Sequence, residues 1–401
     1  MSPTPSGSRP QASATIALCF LAALCEGFDV QAAGVAAAGV VGAFKPSPQA
    51  LGYLFSASNL GLMIGAVVGG RLVDRFGGKA VLVMSLILFG AFSLGCSQAW
   101  DVASLTWLRL ATGLGLGGAL PSGIALAAGG QGAPRNRDVV WTYAGMPLGG
   151  SGVALLALAT PHEEWRRLFL IGGLLPFVAA AAIALLMPRP VVVQRAQGPG
   201  SPAAFGALFE RGAALRTFVL WAAMLVAGLT LHLLLNWLPL LLQWRGVAKA
   251  PAAIAQVGFS LGGALAAMIT GHLLDTRQRG ASLGVVVVGL PVLLVLLATS
   301  TQGGLIVGLA LLLGGCVIAS QGILYGVAGS LYPPQVQGTG VGAAVSFGRL
   351  GSVAGPLLAA AMLGAGRSPG EVVTGLLPIV IAGGLGILFL GWRRPAQTPQ
   401  V

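Results

Sequence analysis

The sequence is short of charge. It has 10 Asp plus Glu and 22 Lys plus Arg in 401 residues, so charged residues make up only 8%. A soluble domain carries about 25%, and so few charges cannot cover a water-facing surface. Histidine is scarce at 3 residues and tyrosine at 4. The four cysteines, Cys19, Cys25, Cys96 and Cys316, fall in apolar runs without C-x-x-C spacing. Neither a disulfide framework nor a metal site is expected of them, and they read as small apolar fillers. No His-x-x-x-His, P-loop or Ser-His-Asp set is evident, and glycine runs such as Gly113 to Gly118 lie inside apolar stretches rather than after strands. No enzyme, cofactor or metal is therefore expected. Without an ATP site, energy for uphill movement has to come from an ion gradient.

Apolar sequence is abundant instead. Hydrophobic residues reach 56% and mean hydropathy is +0.88. Twelve apolar segments lie near 15–41, 49–72, 79–98, 102–129, 138–160, 168–187, 216–242, 251–274, 281–299, 303–331, 338–364 and 371–391. A bilayer-spanning helix needs about 20 such residues. The expected fold is an all-α membrane protein of twelve transmembrane helices in two six-helix bundles. Residues 1–14 read as a disordered tail, 15–187 as the first bundle and 188–215 as a polar cytoplasmic linker. Residues 216–392 read as the second bundle and 393–401 as a cytoplasmic tail. The first apolar run exceeds a signal-peptide core, so an uncleaved first helix is expected.

The net charge of +12 would suggest nucleic acid in a soluble protein. Here the basic residues sit in short loops, so no nucleic-acid partner is expected and the bilayer is the surface they face. With the N-terminus inside, inner segments hold 14 Lys plus Arg and outer loops 6. That bias supports two cytoplasmic termini at an inner membrane. A monomer is expected.

The halves repeat. Gly70-Arg71-Leu72-Val73-Asp74 and Gly271-His272-Leu273-Leu274-Asp275 both read G-x-L-x-D, and Asp74 and Asp275 are 201 apart. The same offset pairs Asp29 with Thr230 and Gln31 with His232. Two homologous bundles are a transporter plan. Rows of glycine at G-x-x-x-G spacing (Gly61, Gly65 and Gly69; Gly113 and Gly117; Gly145 and Gly149; Gly351 and Gly355) mark close helix crossings.

Glu26-Gly27-Phe28-Asp29 lies mid-way along the first apolar run. Two carboxyls at bilayer depth are expensive, and at i and i+3 they share a helix face. They read as a protonatable site lining a polar cavity. Arg109, inside the fourth segment, needs an acid or water as partner: pairing with an acid of the first helix and direct contact with a substrate both remain open. Its fork suits a carboxylate. Arg349, in SFGRLGSVAGP, is the deepest cation of the second half. It reads as a contact for an anionic substrate or as half of a buried pair. His232 and Asn236 share a face of the seventh helix; the histidine either relays a proton or is a satisfied core residue. Gln321 and Tyr325, also i and i+4, read as substrate hydrogen-bonders or as glue between helices.

GRLVDRFGGK (Gly70 to Lys79) resembles the signature between helices 2 and 3 of the major facilitator superfamily, although Gly78 stands where that family usually has a basic residue. EGFDVQAAGVAA resembles the D/E-G-x-D motif of its aromatic acid:proton symporters. RLATGLGLGGALP, NWLPLLL, QGILY and GTGVGAAVSFGRLGSVAGPLLA continue the likeness over nearly the whole chain. The resemblance implies a conformational role for Asp74, Arg75 and Asp275, and proton coupling for Asp29, Glu26 and Arg109. It implies an aromatic carboxylate as cargo, with protons as its companions. Arg349, His232, Asn236, Gln321 and Tyr325 are the substrate candidates. The Glu that opens the motif and the AAG that follows resemble carriers of 3-(3-hydroxyphenyl)propionate. The main rival is an exporter of drugs or metabolites on the same fold. Arg109 and Arg349 beside the acids favour an anion over a cationic drug. A membrane-bound sensor is disfavoured because no large polar domain is present.

Overall fold

The computed structural model describes residues 8–128, 136–187, 206–209, 213–274, 279–332 and 336–392. The chain divides into two compact units, Met1–Gln194 and Arg195–Val401. The N-terminal unit holds α1 (Ser8–Phe44), α2 (Pro48–Phe76), α3 (Gly78–Ser97), α4 (Val102–Ala128), α5 (Asn136–Ala159) and α6 (Arg166–Leu186). The C-terminal unit holds α7 (Ala214–Trp244), α8 (Lys249–Leu274), α9 (Arg279–Thr299), α10 (Gly303–Leu331) and α11 (Gln337–Gly364). It ends in a broken last span, α12 (Pro369–Thr374) and α13 (Leu377–Trp392). Among the described residues nine helices are long and apolar enough to cross a membrane, with two shorter apolar helices at Ala144–Ala159 and Leu283–Thr299. The remaining segment, α4, carries Arg109 as its one charge. Helices are what lipid permits, because each backbone group must find its partner within the segment. Met84, Val178, Leu185, Val285 and Val288 stand exposed on α3, α6 and α9, a face suited to lipid rather than water.

The helix ends follow from local chemistry. Ser47 caps α2, accepting from the Ala50 N–H at 3.2 Å, with Pro48 at the first position where its missing N–H costs nothing. Ser368 and Glu371 close a capping box at α12. Gly77 ends α2 with φ +80°, a backbone that side chains rarely adopt, and turns the chain into α3.

One expectation is corrected at the start of the chain. Residues 8–14, read as part of a disordered tail, belong to α1. Pro10 does not prevent this, because the first turn of a helix has no intrahelical use for its N–H. Residues 1–7, most of the 188–215 linker and the 393–401 tail lie outside the described residues.

The repeat is closely kept. Pro48 and Lys249, Gly78 and Arg279, Val102 and Gly303, and Asn136 and Gln337 open equivalent helices, each pair 201 residues apart. In the N-terminal unit α2 packs against α4 and α1 against α5; in the C-terminal unit α8 packs against α10 and α7 against α11. Glycine makes these crossings close. Gly61 lies against the Leu110 carbonyl and Gly113 against the Ser58 carbonyl, leaving no room for a Cβ. Gly262 meets the Leu311 carbonyl and Gly314 the Phe259 carbonyl in the same way, again 201 residues on. Gly149 meets Leu24 and Gly351 meets Leu225 across the other crossing. All four glycine rows singled out in the sequence therefore lie at helix–helix contacts.

Four of the six basic residues expected in outer loops are tied down. Arg166 donates to the Ala99 carbonyl at 2.8 Å, and Arg245 to the Leu297 and Ser300 carbonyls at 2.8 and 2.7 Å. They cap the C-terminal ends of α3 and α9, where cations are favoured. Arg167 pairs with Glu164 and Arg367 with Glu371.

Candidate functional site

In the N-terminal unit α1, α3, α4 and α6 converge on Asp29. Arg109 Nη1 donates to Asp29 Oδ2 at 2.7 Å, with the two side chains 1% and 0% exposed. Arg109 Nη2 donates to the Asp29 backbone carbonyl at 3.0 Å. Ser93 Oγ on α3 donates to the other carboxylate oxygen, Oδ1, at 3.0 Å. Phe169 on α6 places its ring centroid 5.8 Å from the guanidinium carbon, within cation–π range. Arg109 Nε meets no acceptor among the described residues. Of the two readings of Arg109, the structure brings together the pair with the acid of α1. Asp29 is enclosed by its own bundle rather than open to a chamber. Glu26, one turn earlier, is also buried, at 2%.

Sequence reasoning missed Ser93 and Phe169. Both come from helices remote in sequence, and neither residue type stands out in an apolar run. Cys19, Cys25 and Cys96 are buried in the same unit and serve as packing.

The C-terminal unit is arranged differently. His232 Nδ1 lies 3.0 Å from the Gly228 carbonyl, and Asn236 Nδ2 donates to the His232 carbonyl at 2.8 Å. Both side chains thus turn back one turn along α7. Gly228 lies against the Gly348 carbonyl, which brings Arg349 of α11 beside α7 and close enough for its charge to be felt at His232. The Arg349 guanidinium is partly buried and makes no ion pair or hydrogen bond among the described residues. On α10 Gln321 is partly buried and Tyr325 is 47% exposed, and neither side chain is hydrogen-bonded among the described residues.

The gating candidates are less visible. Arg75 is exposed, its guanidinium 5.2 Å from the Phe76 ring centroid. The side chain of Asp74 and the whole of Asp275 lie outside the described residues. Gly78 is buried against Leu126 and the Ser122 carbonyl, where a Cβ would be a tight fit at 3.2–3.3 Å.

The sequence profile of the Major Facilitator Superfamily matches residues 19–356. The chain belongs to this superfamily. A 3-(3-hydroxy-phenyl)propionate transporter of Escherichia coli (strain K12) is 38% identical over 400 residues, 99% of this chain and 98% of that protein. A gallate transporter of Pseudomonas putida is 31% identical, covering 96% of this chain and 93% of that one. Among solved structures a mutant form of the nucleoside transporter NupG superposes with TM-score 0.78 over 95% of this chain and 99% of that one, at 13% identity. At that identity the likeness speaks for the fold alone. The chain is thus a multi-pass membrane transporter of the superfamily, with two repeated helical units and no enzyme's role.

Proposed function

We propose that this carrier takes up a hydroxylated aromatic carboxylate, of the size of 3-(3-hydroxyphenyl)propionate, together with protons, across the inner membrane by alternating access, with both termini cytoplasmic. The relatives supply the substrate class: their names carry 3-(3-hydroxy-phenyl)propionate, gallate and 4-hydroxybenzoate. The observation that carries the reading is the unequal state of two cations within the helices, one buried and one partly buried. Arg109 is neutralised by Asp29, whereas Arg349 has no anionic partner among the described residues. A partly buried guanidinium without a counterion favours an incoming carboxylate, which its fork can grip with two parallel hydrogen bonds. His232, Asn236, Gln321 and Tyr325 would then hold the ring and its hydroxyl. Asp29, with Glu26 one turn away, takes the proton, and Arg109 is the group whose pairing reports it. One elementary charge across 100 mV is worth about 2.3 kcal/mol, so a net excess of protons drives accumulation.

The test is uptake of labelled 3-(3-hydroxyphenyl)propionate into vesicles with an imposed pH gradient. Uptake should collapse with the gradient and with Asp29→Asn. Gradient-driven uptake that survives Asp29→Asn overturns the coupling role, and uptake insensitive to Arg349→Gln overturns the carboxylate contact.

A further inference from the structure

Protonating Asp29 creates a difficulty that its immediate surroundings define. The carboxylate gains a proton and goes from −1 to 0, while Arg109 cannot lose its own. The pair therefore passes from net zero to +1 in a place where the guanidinium is 1% exposed. A buried cation deprived of its counterion is strongly disfavoured. Two contacts remain when the carboxylate loses its charge, and the one to the ring strengthens then, because the guanidinium no longer shares its charge with a counterion. Arg109 Nη2 keeps the Asp29 backbone carbonyl at 3.0 Å, and the face of Phe169 lies 5.8 Å from the guanidinium carbon. Phe169 is itself fixed. It is fully buried, and its ring meets Trp165 edge-on at 5.9 Å, which meets Phe44 at 5.8 Å. Arg166 covers the far side of that column, 4.6 Å from the Trp165 ring.

We propose that Phe169 is a positioning residue for proton coupling: its ring holds the Arg109 guanidinium when Asp29 is neutral, and so sets the pH at which the pair opens. This rests on the proton-coupled reading of Asp29 given above. Ser93 accommodates the change without moving, since its hydroxyl donates to the carboxylate and accepts from the acid. The other titratable groups around the pair are few. Glu26 and Cys25 lie on α1, and Cys96 lies on α3 near enough to interact with both Asp29 and Arg109. α6 adds Arg166 beyond Trp165, and the described side chains of α5 add no charge. The carboxylate that pairs with Arg109 at 2.7 Å is that of Asp29.

The sign follows. Without the ring the state with neutral Asp29 loses its cation's partner, so protonation becomes harder. Phe169→Leu keeps an apolar side chain and is expected to shift the pH midpoint of driven uptake to lower pH by about one unit. Phe169→Tyr keeps the ring and should restore the midpoint. The midpoint is read in proteoliposomes holding the full chain, with substrate counterflow, which needs no net proton movement, used to normalise for active protein. Should the Leu variant fail to insert, Phe169→Met supplies the ringless comparison. An unchanged midpoint in the ringless variant overturns the role of Phe169 while Asp29→Asn still abolishes coupling. Driven uptake that persists in Asp29→Asn overturns the underlying reading instead.

Discussion

Asp29 and Thr230 occupy equivalent places in α1 and α7, yet they meet opposite surroundings. Asp29 faces Ser93 and Arg109. The residues 201 further on from those two are Leu294 and Ala310, both wholly buried. Thr230 itself is 2% exposed and its hydroxyl meets no partner among the described residues. The glycine pair at the α2–α4 crossing, Gly61 and Gly113, nonetheless recurs at the α8–α10 crossing as Gly262 and Gly314. Packing and charge are therefore separable here. One helical plan serves twice, and three substitutions decide which unit carries an ion pair. The C-terminal unit keeps its cation on a different helix, α11, where Arg349 has no acid to answer it among the described residues.

The largest effect should come from breaking the pair on one side. Arg109→Ala leaves a carboxylate buried and unpaired, and is expected to cost about 3–5 kcal/mol of stability. The triple change Asp29→Thr, Ser93→Leu and Arg109→Ala gives the N-terminal unit the residues of its counterpart. Replacing a whole buried ion pair is often neutral, so this variant should melt near the parent temperature while losing gradient-driven uptake. Thermal melting of purified protein and vesicle uptake separate the two. A triple variant as unstable as Arg109→Ala would mean the units differ in more than these three positions.

Second in size is Arg349→Gln. Losing a charge-assisted contact to the substrate is worth about 1.5–3 kcal/mol, so KM should rise about 10- to 100-fold. Stability should hardly change, because the guanidinium has no partner among the described residues to lose. A strong drop in melting temperature with unaltered KM would make Arg349 a structural residue.

What was legible in the sequence divides along the same line. Charge in an apolar run is conspicuous, so Glu26, Asp29, Arg109 and Arg349 could be named from their cost alone. The glycine rows were legible because their spacing matches a helix face. Ser93 and Phe169 were not, since their role depends on which helices meet and their residue types are common in any membrane span. The offset of 201 held a signal for one of them: Ser93, like Arg109, is polar where its counterpart, Leu294 or Ala310, is apolar. The start of α1 was misplaced because a polar stretch with prolines resembles a tail, while the first turn of a helix accepts both.

Third come the shared crossings. Gly61→Ala and Gly262→Ala each drive a Cβ into a partner's carbonyl, at Leu110 and Leu311. Overpacking of this kind costs about 1–3 kcal/mol. If the two units share one packing plan, the two losses should match to within about 0.5 kcal/mol. Unequal losses would show that the repeat is kept in register but not in tightness.

The smallest effect concerns two hydroxyls. Ser93→Ala removes one donor from a buried carboxylate that keeps its bond to Arg109, and should cost about 0.5–1.5 kcal/mol. Thr230→Val removes a hydroxyl that bonds to nothing described, so it should be neutral or slightly stabilising. Thr230 borders a cavity of about 30 Å³ between α7, α9, α10 and α13. In its wall Val287, Leu290 and Val317 are smaller than their counterparts Leu86, Phe89 and Leu116. It has room for about one water, but a buried water wants two to four polar partners. The other polar side chain of the wall, Ser320, spends its proton on the Val317 carbonyl at 2.6 Å. The wall offers the Thr230 hydroxyl no partner among the described residues, and so no reason to be kept for stability. Melting of Ser93→Ala and Thr230→Val side by side therefore tests the contrast at its weakest point. If Thr230→Val lowers stability as much as Ser93→Ala, the C-terminal unit holds a polar contact at this level after all, and the two units differ less than their charges suggest.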